Sequence, residues 1–260
     1  MTDAAQTNEM AQLEKRLITV ASGKGGVGKT WLSVSLTHAL SHAGRKVAIF
    51  DGDLGLANVD IQLGIMPERD LGDVISGAMT FPEIAMPYRD TDGSSFDILP
   101  GKSGSGALGS MTLQTLGAMK RNLIRTAAGY DHLVLDLAAG VDPAVTTLSD
   151  HSGRILVVMT ADPTSLTDAY AFIKLTTMRN ADANISIVVN NVTSKKEGEK
   201  AFEAIKRACE GFLKISPPLA AIIRNDSKVV DAIRAQVPIL TRHPQSNAAA
   251  DIKALAATFL

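Results

Sequence analysis

One segment of the sequence combines residue types and a spacing that suit it to holding phosphate groups. It reads Gly23-Lys24-Gly25-Gly26-Val27-Gly28-Lys29-Thr30. The glycines allow backbone N–H groups to converge on an anion without Cβ clashes. Lys29 is placed to reach the β- and γ-phosphates of a nucleotide, and the Thr30 hydroxyl can ligate Mg²⁺. A glycine-rich turn that binds nothing is the alternative, and the complete eight-residue pattern argues strongly against it.

Three aspartates elsewhere in the chain have the chemistry that such a phosphate site requires. Asp51 and Asp53 follow the apolar run AIF, and Asp136 ends the apolar run HLVL. A carboxylate at the end of a buried strand can hold Mg²⁺ through a water molecule or orient an attacking water. Each aspartate taken singly could instead be a turn residue or a helix cap. Because all three aspartates follow the phosphate loop in the chain, a function in a nucleotide site is favoured over that of turn residues or helix caps.

The elements that position these residues follow from hydrophobic periodicity. Short runs that are apolar on both faces predict buried strands at 17–22, 46–51, 96–100, 132–136, 154–160, 185–190 and 219–223. Helical spacing is found between them, at 28–43, 112–128, 165–180, 196–211 and from 247 onward. The glycine-rich stretch 101–109 is predicted to be a loop. This alternation predicts an α/β fold, a doubly wound and mostly parallel sheet with helices on both faces.

Composition limits the classes of protein to be considered. The 260 residues carry a formal net charge of −1 and are 45% hydrophobic, a balance that argues against a protein that coats nucleic acid. One cysteine, Cys209, excludes an internal disulfide framework and a multi-cysteine metal site. No apolar run approaches the length of a membrane span, and the N-terminus lacks the apolar centre of a secretory signal. A cytoplasmic protein is expected.

Lys24 gives the phosphate loop a second lysine, and with it the loop resembles the deviant Walker A motif of the MinD/ParA class of P-loop ATPases. Three further segments look like the FlhG/FleN branch of that class, whose members regulate flagellar number and placement. They are DGDLGLANVDIQLG (51–64), DLAAG (136–140) and DPTSLTDAY (162–170). The resemblance covers residues 16–259, so residues 1–15 are expected to be a flexible leader and 16–260 a single MinD-like ATPase domain.

The resemblance implies a role for each matching residue. The implied catalytic residues are Lys24, Lys29 and the water-orienting Asp53, and the implied metal residues are Thr30, Asp51 and the Walker B residue Asp136. Nucleotide contacts are implied for Gly23, Gly25, Gly26, Val27, Gly28, Lys29, Thr30, Trp31, Asn190 and Arg224. Two residues depart from the family pattern. Arg224 stands where the family usually has a proline, and Leu137 stands where it has a small residue.

The implied activity is that of a slow ATPase that acts as a switch. ATP and Mg²⁺ would close a homodimer in which Lys24 acts across the interface, and hydrolysis to ADP would open it. Implied partners belong to flagellar placement: an FlhF-like GTPase, a motor switch or a transcription regulator, with recruitment to the cell pole. The alternative is a ParA-like ATPase that positions DNA or another cargo, although the sequence has no strong nucleic-acid signature. An amidase of the same superfamily would need a second catalytic domain, for which 260 residues leave no room.

Neither end of the chain is expected to bind a partner GTPase or a membrane strongly. Residues 8–14 match the GTPase-activating segment of the flagellar branch poorly, which predicts a polar leader. The apolar stripe of residues 248–260 carries one cation, Lys253, so a last core helix is predicted and membrane binding is expected to be weak or absent. The five histidines are taken to have no metal-ligand spacing, so solvent or capping roles are expected for most of them, and Cys209 is expected to be a small apolar filler.

Overall fold

A computed structural model of the chain describes residues 3–53, 57–91, 93–101 and 111–260. Within these ranges, one sheet has the strand order β3-β4-β2-β5-β1-β6-β7-β8. All neighbouring strands are parallel except β3, which runs antiparallel to β4. The strands are β1 Leu17–Ser22, β2 Val47–Gly52, β3 Met86–Arg89, β4 Ser95–Leu99, β5 His132–Ala139, β6 Arg154–Met159, β7 Asn184–Val192 and β8 Leu219–Arg224. The predicted loop at 101–109 lies, beyond Gly101, outside the described residues.

Helices cover both faces of the sheet. They are α1 Asp3–Glu14, α2 Lys29–His42, α3 Val59–Leu63, α4 Leu71–Ile75, α5 Phe81–Ile84, α6 Leu113–Thr126, α7 Pro143–Leu148, α8 Pro163–Arg179, α9 Lys195–Ala208, α10 Ser227–Arg234, α11 Ile239–Arg242 and α12 Asn247–Ala256. Each face of the sheet has its own apolar core. Helices α2 and α12 pack on one face, and α6 and α9 on the other. The predicted doubly wound α/β fold is confirmed.

The antiparallel strand β3 was not predicted from the sequence. It is four residues long, includes Pro87 and alternates between half-buried and exposed positions. Proline cannot donate a ladder hydrogen bond, and this residue is tolerated because β3 lies at the edge of the sheet. Such a short strand has too little hydrophobic periodicity to be recognised in the sequence.

The N-terminal segment, expected to be a flexible leader, is helical from Asp3 to Glu14. Met10 and Leu13 pack against the apolar core on the α6 face. The Glu14 carboxylate accepts a hydrogen bond from the Ser152 backbone N–H at 3.0 Å. The helix was not predicted because the segment is mostly polar. Its two apolar residues Met10 and Leu13, spaced three apart, face the core on one side of the helix.

The C-terminal helix α12 lies in the core, as its apolar stripe predicted. Ile252 and Leu255 are fully buried, and the helix packs against α2 and β8. Cys209 is likewise buried, in the predicted role of an apolar filler. Among the described residues, no helix has the length and apolarity that crossing a membrane requires.

His151 makes the stability of the fold depend on pH. Its Nδ1 accepts a hydrogen bond from the Gly153 N–H at 3.0 Å, so its Nε2 carries the proton and donates it to Thr19 Oγ1 at 2.7 Å. Burial, together with the nearby Lys120, lowers the pKa of His151 to about 3. The native state therefore holds this ring neutral.

We expect acid to destabilise the protein through His151. Because its folded-state pKa lies below the ordinary value of about 6.5, its contribution is present above that value and is lost as the pH falls. The free energy of unfolding should drop by about 2 kcal/mol between pH 7 and pH 5 from this group alone. Urea unfolding at both pH values measures the drop in the parent chain and in His151→Gln. An equal drop in both proteins would contradict the assignment.

Candidate functional site

The glycine-rich loop connects β1 to α2 at the carboxyl edge of the sheet. Gly26 and Gly28 adopt φ values of 76° and 91°, which side-chain-bearing residues rarely reach. A Cβ atom on Gly28 would also lie 2.4 Å from Asn190 Nδ2. Helix α2 begins at Lys29, so the positive end of its dipole and its free N–H groups face the loop. The loop has the backbone conformation and the electrostatics of an anion cradle.

Asn190 holds this loop against the strand β7. Its Nδ2 donates a hydrogen bond to the Val27 carbonyl oxygen at 2.7 Å, and the side chain is buried. Part of its hydrogen-bonding capacity is thereby used on the loop itself. The residue predicted to contact the base thus also fixes the cradle.

Asp136 lies near the loop on β5, the strand between β1 and β2. It pairs in register with Val20 of β1 and with Asp51 of β2, and it is 1% exposed. Its Oδ1 accepts a hydrogen bond from Ser33 Oγ at 2.9 Å, and the Thr30 hydroxyl also donates to this carboxylate. Burial raises the pKa of Asp136, while these hydroxyls and Lys29 oppose the rise. A buried carboxylate beside two hydroxyl oxygens supplies the hard oxygen ligands that Mg²⁺ prefers.

Asp51 is engaged by the backbone that follows its own strand. Its carboxylate accepts hydrogen bonds from the N–H groups of Asn58 and Val59, both at 2.9 Å, and of Asp53 at 3.3 Å. Burial raises the pKa of Asp51, and the adjacent Asp136 raises it further. These contacts give Asp51 a structural function in shaping the turn that leads into α3. Its predicted function at the metal stays a prediction.

Lys29, the first residue of α2, interacts electrostatically with two of the site carboxylates. Burial lowers its pKa, and the negative charges of Asp136 and Asp53 oppose that shift. Asp53 thus lies within electrostatic reach of both Lys29 and Asp136. A partly desolvated ammonium group interacts more strongly with a phosphate than a fully hydrated one does. The residues present therefore fit a nucleotide phosphate chain with Mg²⁺.

Lys24 points toward α8 rather than into its own loop. Its Nζ donates a hydrogen bond to Thr164 Oγ1 at 2.7 Å, and its carbonyl oxygen accepts one from Ser22 Oγ at 2.7 Å. The preceding Gly23 lies so close to α8 that a Cβ there would be 2.0 Å from the Asp168 carbonyl oxygen. The start of the phosphate loop and the first turns of α8 therefore form one contact.

A pocket beside the loop has the position expected for a nucleotide base. Its lining combines loop residues, strand ends and one face of α10: Gly26, Val27, Gly28, Trp31, Asn190, Asn191, Ile223, Arg224, Asn225, Asp226, Val229, Val230 and Ile233. The Arg224 guanidinium is held by Asp251, at 2.8 and 2.9 Å, and by Asn247 Oδ1 at 2.8 Å. Arg224 thus lines the pocket, while its positive charge is neutralised by Asp251, which is not part of the lining.

Sequence reasoning missed several contributors to this site. Ser33 lies one turn after Thr30 on α2, and that spacing could have identified it as a second hydroxyl facing Asp136. The apolar side of the base pocket, formed by Val229, Val230 and Ile233, lies on α10, which was not predicted. Within the described part of the chain, Lys24, Lys29, Thr30, Asp51, Asp53 and Asp136 all lie around one edge of the sheet, as predicted.

Comparison with known proteins agrees with this geometry. Residues 18–239 match the family described as the CobQ/CobB/MinD/ParA nucleotide binding domain. The antiactivator FleN of Pseudomonas aeruginosa is 33% identical over 241 residues, which cover 93% of this chain and 85% of FleN. The flagellum site-determining protein YlxH of Helicobacter pylori is 31% identical, covering 73% of this chain and 63% of YlxH.

A solved structure also matches the fold over nearly its whole length. It is the septum site-determining protein MinD of Pyrococcus horikoshii complexed with Mg-ADP, which has a TM-score of 0.76 and 25% sequence identity. The alignment covers 94% of this chain and 95% of that one.

Proposed function

The chain belongs to the CobQ/CobB/MinD/ParA nucleotide-binding family, and we propose that it is an ATP-switched homodimer that controls the number or placement of flagella. As a member of the MinD/ParA family it is a regulatory P-loop ATPase, and family members bind nucleotide with Mg²⁺. The proposal concerns what this chain does with that activity. The contact between the phosphate loop and α8 carries the switch mechanism, whereas the similarity to FleN and YlxH carries the flagellar assignment.

The residues of the loop would hold ATP in one subunit. Backbone N–H groups of the cradle and the Lys29 ammonium would bind the phosphates. The oxygens of Thr30 and Asp136 would hold Mg²⁺, which neutralises charge on the phosphates. The base would lie between Asn190 and the apolar face of α10, both of which line the pocket. Asp53 is proposed to orient the attacking water.

Lys24 is proposed to act on the nucleotide of the partner subunit. In the single subunit its Nζ is hydrogen-bonded to Thr164 on α8. A lysine that leaves this contact to reach a phosphate across the interface would release the first turn of α8. Closure of the dimer would then shift α8 directly, because Gly23 of the loop is already in contact with Asp168 of this helix.

Helix α8 also carries an exposed apolar surface that suits a protein partner. Leu175, Met178 and the neighbouring Phe212 are 39%, 73% and 79% exposed. Phe212 stacks edge-on against Tyr170 of α8, with ring centroids 6.5 Å apart. We propose that a protein of the flagellar placement system binds here in the ATP state, recruiting the chain from the cytoplasm to the pole. The boundary between residues 1–15 and an ATPase domain of residues 16–260 remains part of the proposal, with α1 packed on that domain instead of forming a flexible leader.

The flagellar assignment rests on the similarity to FleN and YlxH, and a deletion strain tests it. Cells that lack the gene are expected to show altered flagellar number or placement by electron microscopy. The parent gene should restore the normal pattern, and Lys29→Ala should not, because the nucleotide state sets the partner surface. Lys253→Ala is the matched control and should restore the pattern, since that lysine donates to the Pro244 carbonyl oxygen and does not line the base pocket.

Normal flagellation in the deletion strain, with another assembly misplaced, would reject the flagellar assignment. Misplaced DNA in particular would favour the ParA-like alternative. Either outcome would leave the nucleotide switch itself to be judged by the biochemical measurements.

A further inference from the structure

A cluster of metal-ligating side chains lies at the end of α2 opposite the phosphate loop. It consists of His38, His42 and Asp90, whose ligand atoms all lie within 4.8 Å of one another. His38 Nε2 is 2.7 Å from Asp90 Oδ2 and 2.9 Å from His42 Nε2. The four-residue separation of His38 and His42 was not recognised in the sequence as metal-ligand spacing, and Asp90, at least 48 positions away along the chain, is brought to α2 only by the fold.

The ligand atoms of His42 and Asp90 both crowd around His38 Nε2, and Ser94 Oγ lies 3.4 Å from the same nitrogen. His38 Nε2 carries either one proton or one lone pair. If it carries a proton, two acceptors compete for it. If it carries a lone pair, that lone pair faces the Asp90 carboxylate at 2.7 Å. A cation placed between the three groups would accept a lone pair from each of them at once.

The fold fixes all three groups independently of any ion. His38 and His42 are one helical turn apart on the same face of α2, the i, i+4 spacing by which two histidines bind one zinc ion. Asp90 is held in the turn between β3 and β4, where its N–H donates to the Ser94 carbonyl oxygen at 2.9 Å. Thr241 Oγ1, from α11, donates to Asp90 Oδ2 and orients it. Three separate parts of the chain thus converge on one point.

The burial of these groups and their close approach are compatible with a metal-binding site. The side chains of His38 and Asp90 are 0% and 3% exposed, whereas His42 is exposed and leaves a route to solvent. Ligand atoms of a tetrahedral zinc site lie ~3.3 Å apart, given Zn–N distances of about 2.0–2.1 Å. The observed separations of 2.7 and 2.9 Å reach that value after shifts of a few tenths of an ångström.

We propose that His38, His42 and Asp90 bind a divalent transition metal of the zinc type, with water in the remaining coordination position. Imidazole nitrogens select zinc and its neighbours over Mg²⁺, which prefers an all-oxygen shell. This site is therefore chemically distinct from the site at Thr30 and Asp136. The bound ion would tie the C-terminal end of α2 to the β3–β4 hairpin and, through Thr241, to α11.

Calorimetric titration with Zn²⁺ tests the proposal, performed with excess Mg²⁺ and ADP so that the nucleotide site is filled. We expect one zinc ion per chain for the parent protein. His42→Gln should weaken binding by at least about 100-fold, because loss of even an outer-shell partner costs roughly 10- to 100-fold. His42 is exposed, so this variant is expected to fold, and Asp90→Asn provides a second, independent variant.

His243→Gln is the matched control, since His243 also contacts a carboxylate, that of Asp231 at 2.6 Å, but lies outside the cluster. It should bind zinc as the parent does. Co²⁺ as a probe should give visible d–d absorption in the parent and in His243→Gln, and lose it in His42→Gln. Absence of stoichiometric binding by the parent, or equal binding by the parent and His42→Gln, would overturn the proposal.

Discussion

Replacing Lys24 by alanine is expected to lower ATP turnover by about 10³-fold while the affinity for ADP stays unchanged. A cation supplied across an interface to a transferring phosphoryl group accelerates the reaction by roughly 10³- to 10⁵-fold. ADP affinity should be preserved because Lys24 Nζ contacts Thr164 and not its own phosphate cradle. Phosphate release measures turnover, and calorimetry with ADP measures binding.

Thr164→Val is the matched control for Lys24→Ala. It removes the same hydrogen bond from the other side but leaves the lysine in place. Turnover by Thr164→Val should therefore stay at the level of the parent or above it. If Lys24→Ala lost turnover and ADP affinity together, the lysine would belong to the cradle of its own subunit. Unchanged turnover would contradict any function in trans.

The second large effect is expected at Lys29, whose replacement by alanine should weaken nucleotide binding by about 100-fold. Truncating one member of a close charge pair costs roughly 2–5 kcal/mol, and Lys29 is partly desolvated beside Asp136 and Asp53. Trp31 offers the readout, since it is the sole tryptophan of the sequence and lines the base pocket. Its emission should change on addition of Mg-ADP to the parent protein and stay constant in Lys29→Ala over the same range.

Lys253→Ala serves again as the control, because it removes a lysine remote from the pocket lining. It should bind Mg-ADP with parental affinity. Equal affinity in Lys29→Ala and the parent would remove Lys29 from the phosphate site. The loop would then have to bind nucleotide through backbone N–H groups alone.

Much of the site could be predicted because its information is local. The loop, the helix that begins at Lys29 and the strand that carries Asp136 are contiguous patterns, and parallel strands place their carboxyl ends at one edge. The predicted strand at 17–22 coincides with β1, since a fully buried parallel strand is an uninterrupted apolar run. Asp51 and Asp136 lie beside each other because both stand at the carboxyl ends of neighbouring parallel strands.

The remaining features depend on contacts between distant parts of the chain. The Lys24–Thr164 and Asn190–Val27 hydrogen bonds join residues 140 and 163 positions apart. The three backbone amides that engage Asp51, those of Asp53, Asn58 and Val59, follow β2 in a part of the sequence that has no periodic signal. Asp90 reaches His38 only because a short edge hairpin folds back toward α2. Hydrophobic patterning does not encode such side-chain contacts.

Sedimentation of Asp53→Ala with Mg-ATP and with Mg-ADP tests the central claim, an ATP-driven dimer, most directly. This variant should bind ATP but not hydrolyse it, so the closed state accumulates. We predict a dimer in ATP and a single subunit in ADP at tens of micromolar, a concentration of the order needed for transient interfaces. Adding Lys24→Ala to the same chain should return it to a single subunit in ATP. Identical sedimentation of Asp53→Ala in ATP and in ADP would contradict the account.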